Sequence, residues 1–314
     1  MSITLNGTLR NLDKILIVDG YSATGKKLLC LILQTLKRVE KMEMNNFVGD
    51  LSCLKLFNKI SDDGYEAAIK VHINNTLNNT LLSRATNFRP FDGSSIFNTY
   101  NKVKYIKRLF SKEGDYINYY YKKNKPILHL MTHFSYPAIN DLNKVLKNKL
   151  VFVSMVRHPV YCISHIKYLI KNIHSSNERF NFIGYKQKNG FIPWYMNFEI
   201  NDKDTFTDQA IKYFLYLDQL DNQADKNLNI NKNIFKLPFE HFIMNTKYYV
   251  NKITKLLDTE ISNNTVKILK KEKLPSKFFS KRTELRTSFR HYVNRDKEET
   301  QDVYNKRLNE IKKE

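Results

Sequence analysis

The sequence feature that most constrains the fold is a short apolar run that leads directly into a glycine-bounded turn. Residues 15–18 are Ile-Leu-Ile-Val, and Gly20 and Gly25 enclose small and polar residues before a second apolar segment begins at Leu28. A buried strand, a tight loop and a helix start, in this order, direct backbone N–H groups and the helix N-terminus at an anion, most often a phosphate. The sequence therefore predicts a phosphate site in this loop.

The residue after the loop departs from the best-known motif of this kind. The spacing from Gly20 to Lys26 fits G-x-x-x-x-G-K, whereas Lys27 stands where a Mg²⁺-binding Ser or Thr is expected. Among the later strand ends only Glu240 offers a carboxylate, so a Mg²⁺–nucleotide site would lack its usual ligands. Two adjacent lysines instead favour a phosphate bound without metal, because their charge replaces that of the ion. A lysine-rich helix start after an ordinary turn is the structural alternative.

Three further apolar runs resemble the first. They cover residues 126–131, 150–156 and 234–238 and show no alternation, which is typical of strands buried on both faces. Helix-like patterns lie at 26–42, 65–73, 103–110, 161–173, 205–226 and 246–257. Strands separated by helices predict an α/β protein, a parallel β-sheet flanked by helices in a three-layer architecture of the P-loop NTPase type. Ligands of such folds bind at the carboxyl ends of the strands.

A second group of polar residues follows the run 150–156. Arg157 leaves the strand end, Pro159 is expected to start the next helix, and Ser164 would then lie two turns along the same helix face. An Arg at a strand end and a Ser on the next helix can bind one phosphate together. An Arg that pairs with carboxylates is the structural alternative.

A third candidate is the histidine that follows the run 126–131. His129, inside the run, is expected to be an ordinary core residue, whereas His133 lies beyond the strand end. Because the carboxyl ends of parallel strands meet at one edge of the sheet, His133 is predicted to lie near the loop at 20–27 and near Arg157.

Charge and cysteine content restrict the partners and the compartment. The 314 residues include 52 Lys and Arg and 31 Asp and Glu, a formal net charge of +21, but no aromatic–basic strip predicts nucleic-acid binding. Cys30, Cys53 and Cys162 share no metal-ligand spacing and suggest reduced thiols of a cytoplasmic protein without a metal site. No signal peptide is expected at the N-terminus, and no apolar run approaches the about 20 residues of a membrane span.

Together, these residues resemble the sulfotransferases that use 3′-phosphoadenosine-5′-phosphosulfate (PAPS). In that family a loop P-K-S-G-T-T binds the 5′-phosphosulfate, a strand-end Arg and a following Ser bind the 3′-phosphate, and in the cytosolic branch the His of K-T-H is the base. The segments here that are similar to these three are Ser22–Lys27, Arg157 with Ser164, and Met131–His133, respectively. Along the chain they follow one another in the order of the family, with Met131–His133 between the other two. Residues 234–257 resemble the closing strand and helix of the family.

The chain also departs from the family pattern. Ala23 and Met131 stand where the family commonly has lysines, and Ser164 follows Arg157 by seven residues where eight is usual. The resemblance spans about residues 14–260 but does not cover 40–124. We expect one domain over 1–295, with a helical acceptor-site insertion at 45–124, followed by a charged tail at 296–314; the sequence predicts no oligomeric state.

The resemblance implies roles for individual residues. His133 would be the base, and Lys26 or Lys27 would stabilise the charge of the leaving group. The donor would be PAPS, the product 3′-phosphoadenosine-5′-phosphate, and no metal is expected. Nucleotide contacts would come from Ser22, Ala23, Thr24, Gly25, Lys26, Lys27, Leu28, Arg157, Ser164, Lys281 and Arg282.

The expected acceptor is a small molecule or a glycan that carries a hydroxyl or an amine. The polar loop with Arg84, Arg89 and Asp92 and the single tryptophan, Trp194, are candidates for the acceptor site. A capped surface loop and a core position for Trp194 are the structural alternatives.

Two other functions stay open at this point. A P-loop kinase or NTPase predicts Mg²⁺-dependent binding of ATP. A non-catalytic polyanion-binding α/β protein predicts an affinity that falls steeply with salt and does not depend on His133.

Overall fold

A parallel β-sheet forms the centre of the protein. The computed structural model describes residues 3–9, 12–92, 94–111, 115–174, 183–187, 190–228 and 231–276. The strands of these residues are β1 (Lys14–Gly20), β2 (Glu43–Met44), β3 (Ile127–Met131), β4 (Leu150–Val156), β5 (Gly184–Gln187), β6 (Gly190–Pro193) and β7 (Ile234–Pro238). Five of them form a sheet of order β2-β3-β1-β4-β7 in which every neighbouring pair is parallel, and β5 and β6 form a separate antiparallel pair.

Helices cover both faces of the sheet. They are α1 (Lys26–Leu33), α2 (Asn46–Leu56), α3 (Asp62–Leu81), α4 (Lys102–Leu109), α5 (Asp115–Asn124), α6 (Ile139–Leu146), α7 (Ile163–His174), α8 (Phe206–Asn227), α9 (Phe239–Met244), α10 (Thr246–Leu256) and α11 (Asn263–Lys271). Within the described ranges, none of these helices has both the length and the hydropathy needed to cross a bilayer. The segment 45–124 contains α2 to α5, whereas the predicted tail at 296–314 lies outside the described residues.

Alternate residues of the strands enter two separate cores. In β1, Leu16 and Val18 pack with α1, α10 and α11, whereas Ile15 and Ile17 pack with α3 and α6 on the other face. All four side chains are fully buried. A strand buried on both faces reads as a continuous apolar run, which is why the runs of the sequence identified β1, β3 and β4. The fourth run corresponds to β7, an edge strand in which Phe235 and Lys236 are half-buried. The predicted three-layer α/β fold is confirmed.

The register of the sheet brings the carboxyl ends of its central strands together. Val18 of β1 lies opposite Met131 of β3 and Val153 of β4. The chain leaves β3 at Thr132, whose N–H donates to the Val18 carbonyl oxygen at 3.0 Å. The segments that follow β1, β3 and β4 therefore start at the same edge of the sheet.

The helix predicted over 26–42 was too long. Helix α1 ends at Leu33, and the chain then turns through Arg38, whose φ of 65° is left-handed. Leu36, Val39 and Met42 are nevertheless buried in the same core as α1. The apolar spacing correctly indicated burial, but the chain must turn back to form β2 beside β3, a two-residue strand that the sequence did not predict.

Candidate active site

The loop after β1 contains two positions that require glycine. Gly20 has a φ of 140° and Gly25 a φ of 89°. A Cβ atom at Gly20 would lie 2.3 Å from the Met155 carbonyl oxygen, and one at Gly25 would lie 2.3 Å from the ring of Phe239. Gly25 also caps α1, whose first turn has no side-chain cap and no acidic residue. The first N–H groups of α1, those of Lys26 and Lys27, are therefore available to an anion.

The two lysines of the motif occupy different environments. Lys26 is buried, and its Nζ donates to the carbonyl oxygens of Gly20 and, at 3.2 Å, of Tyr21. Burial lowers the pKa of Lys26 to about 8, although the nearby carboxylate of Asp19 opposes this shift. Lys27, in contrast, is exposed on the first turn of α1. Lys26 is thus the cation held inside the loop.

Asp19 joins this loop to the turn after β3. Its carboxylate is fully buried and accepts hydrogen bonds from Thr132 Oγ1 at 2.7 Å and from the N–H groups of Ser135 and Tyr136 at 3.1 and 3.0 Å. These bonds fix the turn that carries His133 beside the loop that carries Lys26. The sequence interpretation missed Asp19, although an acidic residue at the end of an otherwise apolar strand was an available signal.

His133 is neutral at physiological pH because of its surroundings. The positive charge of Lys26 and, second, burial lower the pKa of His133 to about 3. A neutral imidazole can accept a proton from a bound hydroxyl. His129 provides the contrast: it is fully buried in β3, as predicted, and burial alone is the main cause that lowers its pKa to about 3.

Arg157 reaches the same loop from the end of β4. Its Nη1 donates to the Ala23 carbonyl oxygen at 3.0 Å, and its guanidinium lies 4.7 Å from the ring centroid of Phe239. The Nε atom is buried without a hydrogen-bond partner in the described part of the chain, and Glu240 Oε1 lies 3.9 Å away. The carboxylate of Glu240 is thus an ion-pair partner without a direct hydrogen bond to Nε, and a phosphate bound here could accept the hydrogen bond that Nε does not make.

The path from Arg157 to Ser164 differs from the prediction. Pro159 begins a 3₁₀ turn, Pro159–Tyr161, and α7 starts only at Ile163, so Pro159 does not start the helix. Cys162 interrupts the helical path with a φ of −108° and packs its sulfur 3.8 Å from the Ala23 carbonyl oxygen. Ser164 therefore lies half-buried in the first turn of α7 and not two turns along it.

The remaining donor-site candidates are distributed around the loop. Ser22 is half-buried, and Thr24 is buried with its hydroxyl donating to the Tyr21 carbonyl oxygen at 2.9 Å. The N–H of Leu28 donates to the Gly25 carbonyl oxygen at 3.0 Å in the first turn of α1. Lys281 and Arg282 lie outside the described residues.

A cavity of about 250 Å³ opens beside the loop and His133. Ser22 and His133 both line it, which connects the loop to the histidine through one space. The cavity is bounded by Ser22, Met44, Asn46, Gly49, Asp50, His133, Phe134, Ile166, Leu169, Ile170, Trp194, Tyr195, Met196 and Tyr213. Trp194 is 4% exposed and packs edge-on against Phe134, so it is at once a packed residue and part of the wall.

Among its described residues, the polar loop at 83–95 contributes none to the lining of this cavity. Arg89 pairs with Asp92 at 3.6 Å, and Asp92 also accepts a hydrogen bond from Asn87. Arg84 and Arg89 are exposed, and none of Arg84, Arg89 and Asp92 is among the residues that line the cavity. The local ion pair corresponds to the structural alternative for this segment.

Comparison with known proteins gives no match to a protein-family model and no match to a curated protein. Among solved structures, the chain is similar to a sulfotransferase domain from the curacin biosynthetic pathway, with 10% identity and a TM-score of 0.44 over 82% of this chain and 78% of that one. It is also similar to a sulfotransferase domain from the olefin synthase of Synechococcus PCC 7002, with 10% identity and a TM-score of 0.43 over 96% and 88%.

A third similar structure is the sulfotransferase STF9 from Mycobacterium avium, with 12% identity and a TM-score of 0.41 over 91% of this chain and 77% of that one. At these identities and TM-scores the likeness assigns no roles to residues, so the site is interpreted from its own geometry. All three structures are sulfotransferases, the family whose motifs the sequence resembles.

Proposed function

We propose that this chain is a sulfotransferase that transfers a sulfuryl group from PAPS to a hydroxyl of a small acceptor. The observation that supports the proposal is that the glycine loop, a buried lysine and His133 lie beside one cavity. A glycine loop holds a buried lysine, that lysine keeps His133 neutral, and His133 and Ser22 of the loop line the same cavity. A cation for a leaving phosphate and a base for an acceptor proton are the two groups that such a transfer needs.

The residues around the loop suit a doubly phosphorylated donor. The N-terminus of α1 and Lys26 would hold the 5′ end, and Arg157, whose Nε has no hydrogen-bond partner among the described residues, would hold the 3′-phosphate together with Ser164. When bound, PAPS supplies a sulfuryl group whose bond to the 5′-phosphate oxygen breaks as its bond to the acceptor oxygen forms. The resident lysine would take the place that a metal ion has in nucleotide triphosphatases.

Each protein group has a definite task in this scheme. His133 would accept the proton of the acceptor hydroxyl. Its low pKa keeps the imidazole unprotonated at neutral pH, and the negative charge of a donor bound beside Lys26 would raise that pKa toward the neutral range, where a general base works best. Lys26 and the N–H groups of α1 face the negative charge that develops on the phosphate. Asp19 positions His133, because it binds the turn that carries this residue. Its negative charge also raises the pKa of Lys26 and so partly offsets the effect of burial.

The rival kinase interpretation fits the geometry less well. Lys27 is exposed on α1 at the position where a metal-binding hydroxyl is expected. Asp19 is the carboxylate nearest to Lys26 in the chain, but both of its oxygens already accept hydrogen bonds from the turn after β3. The donor set of a Mg²⁺–nucleotide site is therefore incomplete at this loop.

The variant His133→Ala tests the proposal. Transfer of labelled sulfate from PAPS to a panel of small phenols, alcohols and amines should fall by about 10²–10³, as is typical for the loss of a base or an oxyanion donor. Binding of 3′-phosphoadenosine-5′-phosphate should persist, because His133 is not part of the nucleotide site. His241→Ala, at an exposed position on α9, is the matched control. Transfer that is unchanged in His133→Ala would refute the assignment of the base.

A further inference from the structure

The cavity beside His133 combines an apolar wall with one acidic residue. Most of its lining is aliphatic or aromatic, and among the described lining residues none is Lys or Arg and Asp50 is the sole carboxylate. This composition contrasts with the net charge of +21 of the whole chain. The charge of the protein surface therefore does not predict the charge of the molecule that enters the cavity.

Asp50 faces the cavity as part of one face of α2. Asn46, Gly49 and Asp50 stand at helical spacings of three and four and all line the cavity. Gly49 allows a close approach, since a Cβ atom there would lie 2.6 Å from the His133 carbonyl oxygen. Asp50 is consequently held on the wall next to the residue that we assign as the base.

The carboxylate of Asp50 has no ion pair and no hydrogen bond within the described ranges of the chain. It is half-buried, and burial is the cause that raises the pKa of its carboxyl. Asp204, another half-buried acid, is in contrast ion-paired: it lies 2.9 Å from Lys212 Nζ. A carboxylate in an apolar cavity without a partner is costly unless a ligand supplies the opposite charge.

We propose that the acceptor is a small, largely apolar molecule that carries an ammonium group, which Asp50 binds, in addition to the hydroxyl that receives the sulfuryl group. The inference rests on the proposed function and narrows its substrate class. An ammonium ion also suits the aromatic wall, where Phe134 and Tyr195 are stacked at 4.3 Å and Trp194 stands edge-on to Phe134. The volume of about 250 Å³ is below the about 300–1,000 Å³ of most drug-sized pockets, which favours a single-ring molecule over a glycan chain.

Three phenols of nearly equal size provide the test. Tyramine carries an ammonium group, 4-ethylphenol is neutral, and 3-(4-hydroxyphenyl)propionate is an anion. Trp194 is the single tryptophan of the chain and lines the cavity, so its fluorescence reports binding directly. Titrations are made with 3′-phosphoadenosine-5′-phosphate present, and nucleotide binding is measured separately by calorimetry.

We expect tyramine to bind at least about tenfold more tightly than 4-ethylphenol, and the anion to bind more weakly than either, since a charge-assisted contact is worth about that factor. In Asp50→Asn the preference for tyramine should disappear while 4-ethylphenol keeps its affinity, which also shows that the cavity is intact. Asp218→Asn, the same change at an exposed site on α8, should alter nothing.

Equal affinities of the three phenols, a tyramine preference that survives in Asp50→Asn, or no binding of any of them would overturn the inference. None of these results affects the donor site. Failure of 3′-phosphoadenosine-5′-phosphate to bind is the separate result that would overturn the proposed function.

Discussion

The variant Lys26→Gln tests the electrostatic coupling on which the proposed active site depends. The pKa of His133 is lowered from 6.5 to about 3, and the charge of Lys26 is the larger of the two causes. The larger of two causes supplies at least half of the difference. Removal of the charge should therefore move the pKa of His133 upward by at least half of the interval to 6.5. Gln keeps an N–H donor for the carbonyl oxygens of Gly20 and Tyr21, which Lys26 binds.

The assay is an NMR titration of the imidazole C–H resonances in the wild type and the variant. His129 serves as an internal reference, because its low pKa has burial as its main cause and should not respond. Lys27→Gln is the control, because it removes a neighbouring positive charge that is exposed and is not among the causes of the low pKa of His133. The pKa of His133 should be unchanged in this variant.

Two results would refute the reasoning. A wild-type pKa of His133 near 6.5 would show that Lys26 and the imidazole are not close. An upward shift in Lys27→Gln, with none in Lys26→Gln, would show that the loop presents the other lysine to the histidine.

Three further predictions concern the frame of the site. Gly49→Ala should destabilise the fold by about 1–3 kcal/mol in denaturant titrations, because the new Cβ would lie 2.6 Å from the His133 carbonyl oxygen; unchanged stability would contradict this packing. Asp19→Asn should cost about 2–3 kcal/mol, because hydrogen bonds from Thr132 and two N–H groups to a buried charge are weakened, and a neutral result would contradict that role. His129 and His133 both have pKa values of about 3 in the folded protein against 6.5 ordinarily, so the unfolded chain binds more protons between these values. The two histidines should therefore lower the free energy of unfolding as pH drops from 6.5 toward 3, while Asp221, whose pKa burial raises to about 7, acts in the opposite direction. The pH dependence should weaken in His133→Ala, and one that is unchanged in this variant would contradict the assignment of His133.

The sheet and the loop could be predicted because their signals are local. The runs at 15–18 and 150–153 are apolar without interruption because β1 and β4 are buried on both faces. Gly20 and Gly25 stand out because the backbone and the available space both require glycine there. These constraints act within a few residues and leave a direct trace in the sequence.

The ends of the helices could not be predicted as well, because the spacing of apolar residues indicates which side chains are buried and not where the helical backbone ends. Leu36, Val39 and Met42 continue the apolar spacing of α1 and enter the same core, yet they lie beyond its end at Leu33. What ends α1 is the return of the chain toward β3, where Val39 bridges to Ile127, a contact between distant residues.

The residues that complete the site could not be found from spacing alone. Asp19 matters because it binds a turn more than a hundred residues away, and Asp50 matters because α2 packs on that same turn. In the sequence Asp50 is an ordinary polar residue in an irregular segment. In contrast, Arg84, Arg89 and Asp92 form a conspicuous polar cluster but lie in a loop that does not line the cavity.

The most direct test of the central claim is a calorimetric comparison of 3′-phosphoadenosine-5′-phosphate, adenosine 5′-phosphate and ATP–Mg²⁺ on the wild type and Arg157→Ala. The proposed site predicts that the 3′-phosphorylated nucleotide binds most tightly and that Arg157→Ala removes most of its advantage over adenosine 5′-phosphate. Arg157 is half-buried beside the loop, its Nε has no hydrogen-bond partner in the described part of the chain, and the Glu240 carboxylate lies 3.9 Å from it. Tighter binding of ATP–Mg²⁺, or an affinity that does not depend on the 3′-phosphate, would contradict this prediction.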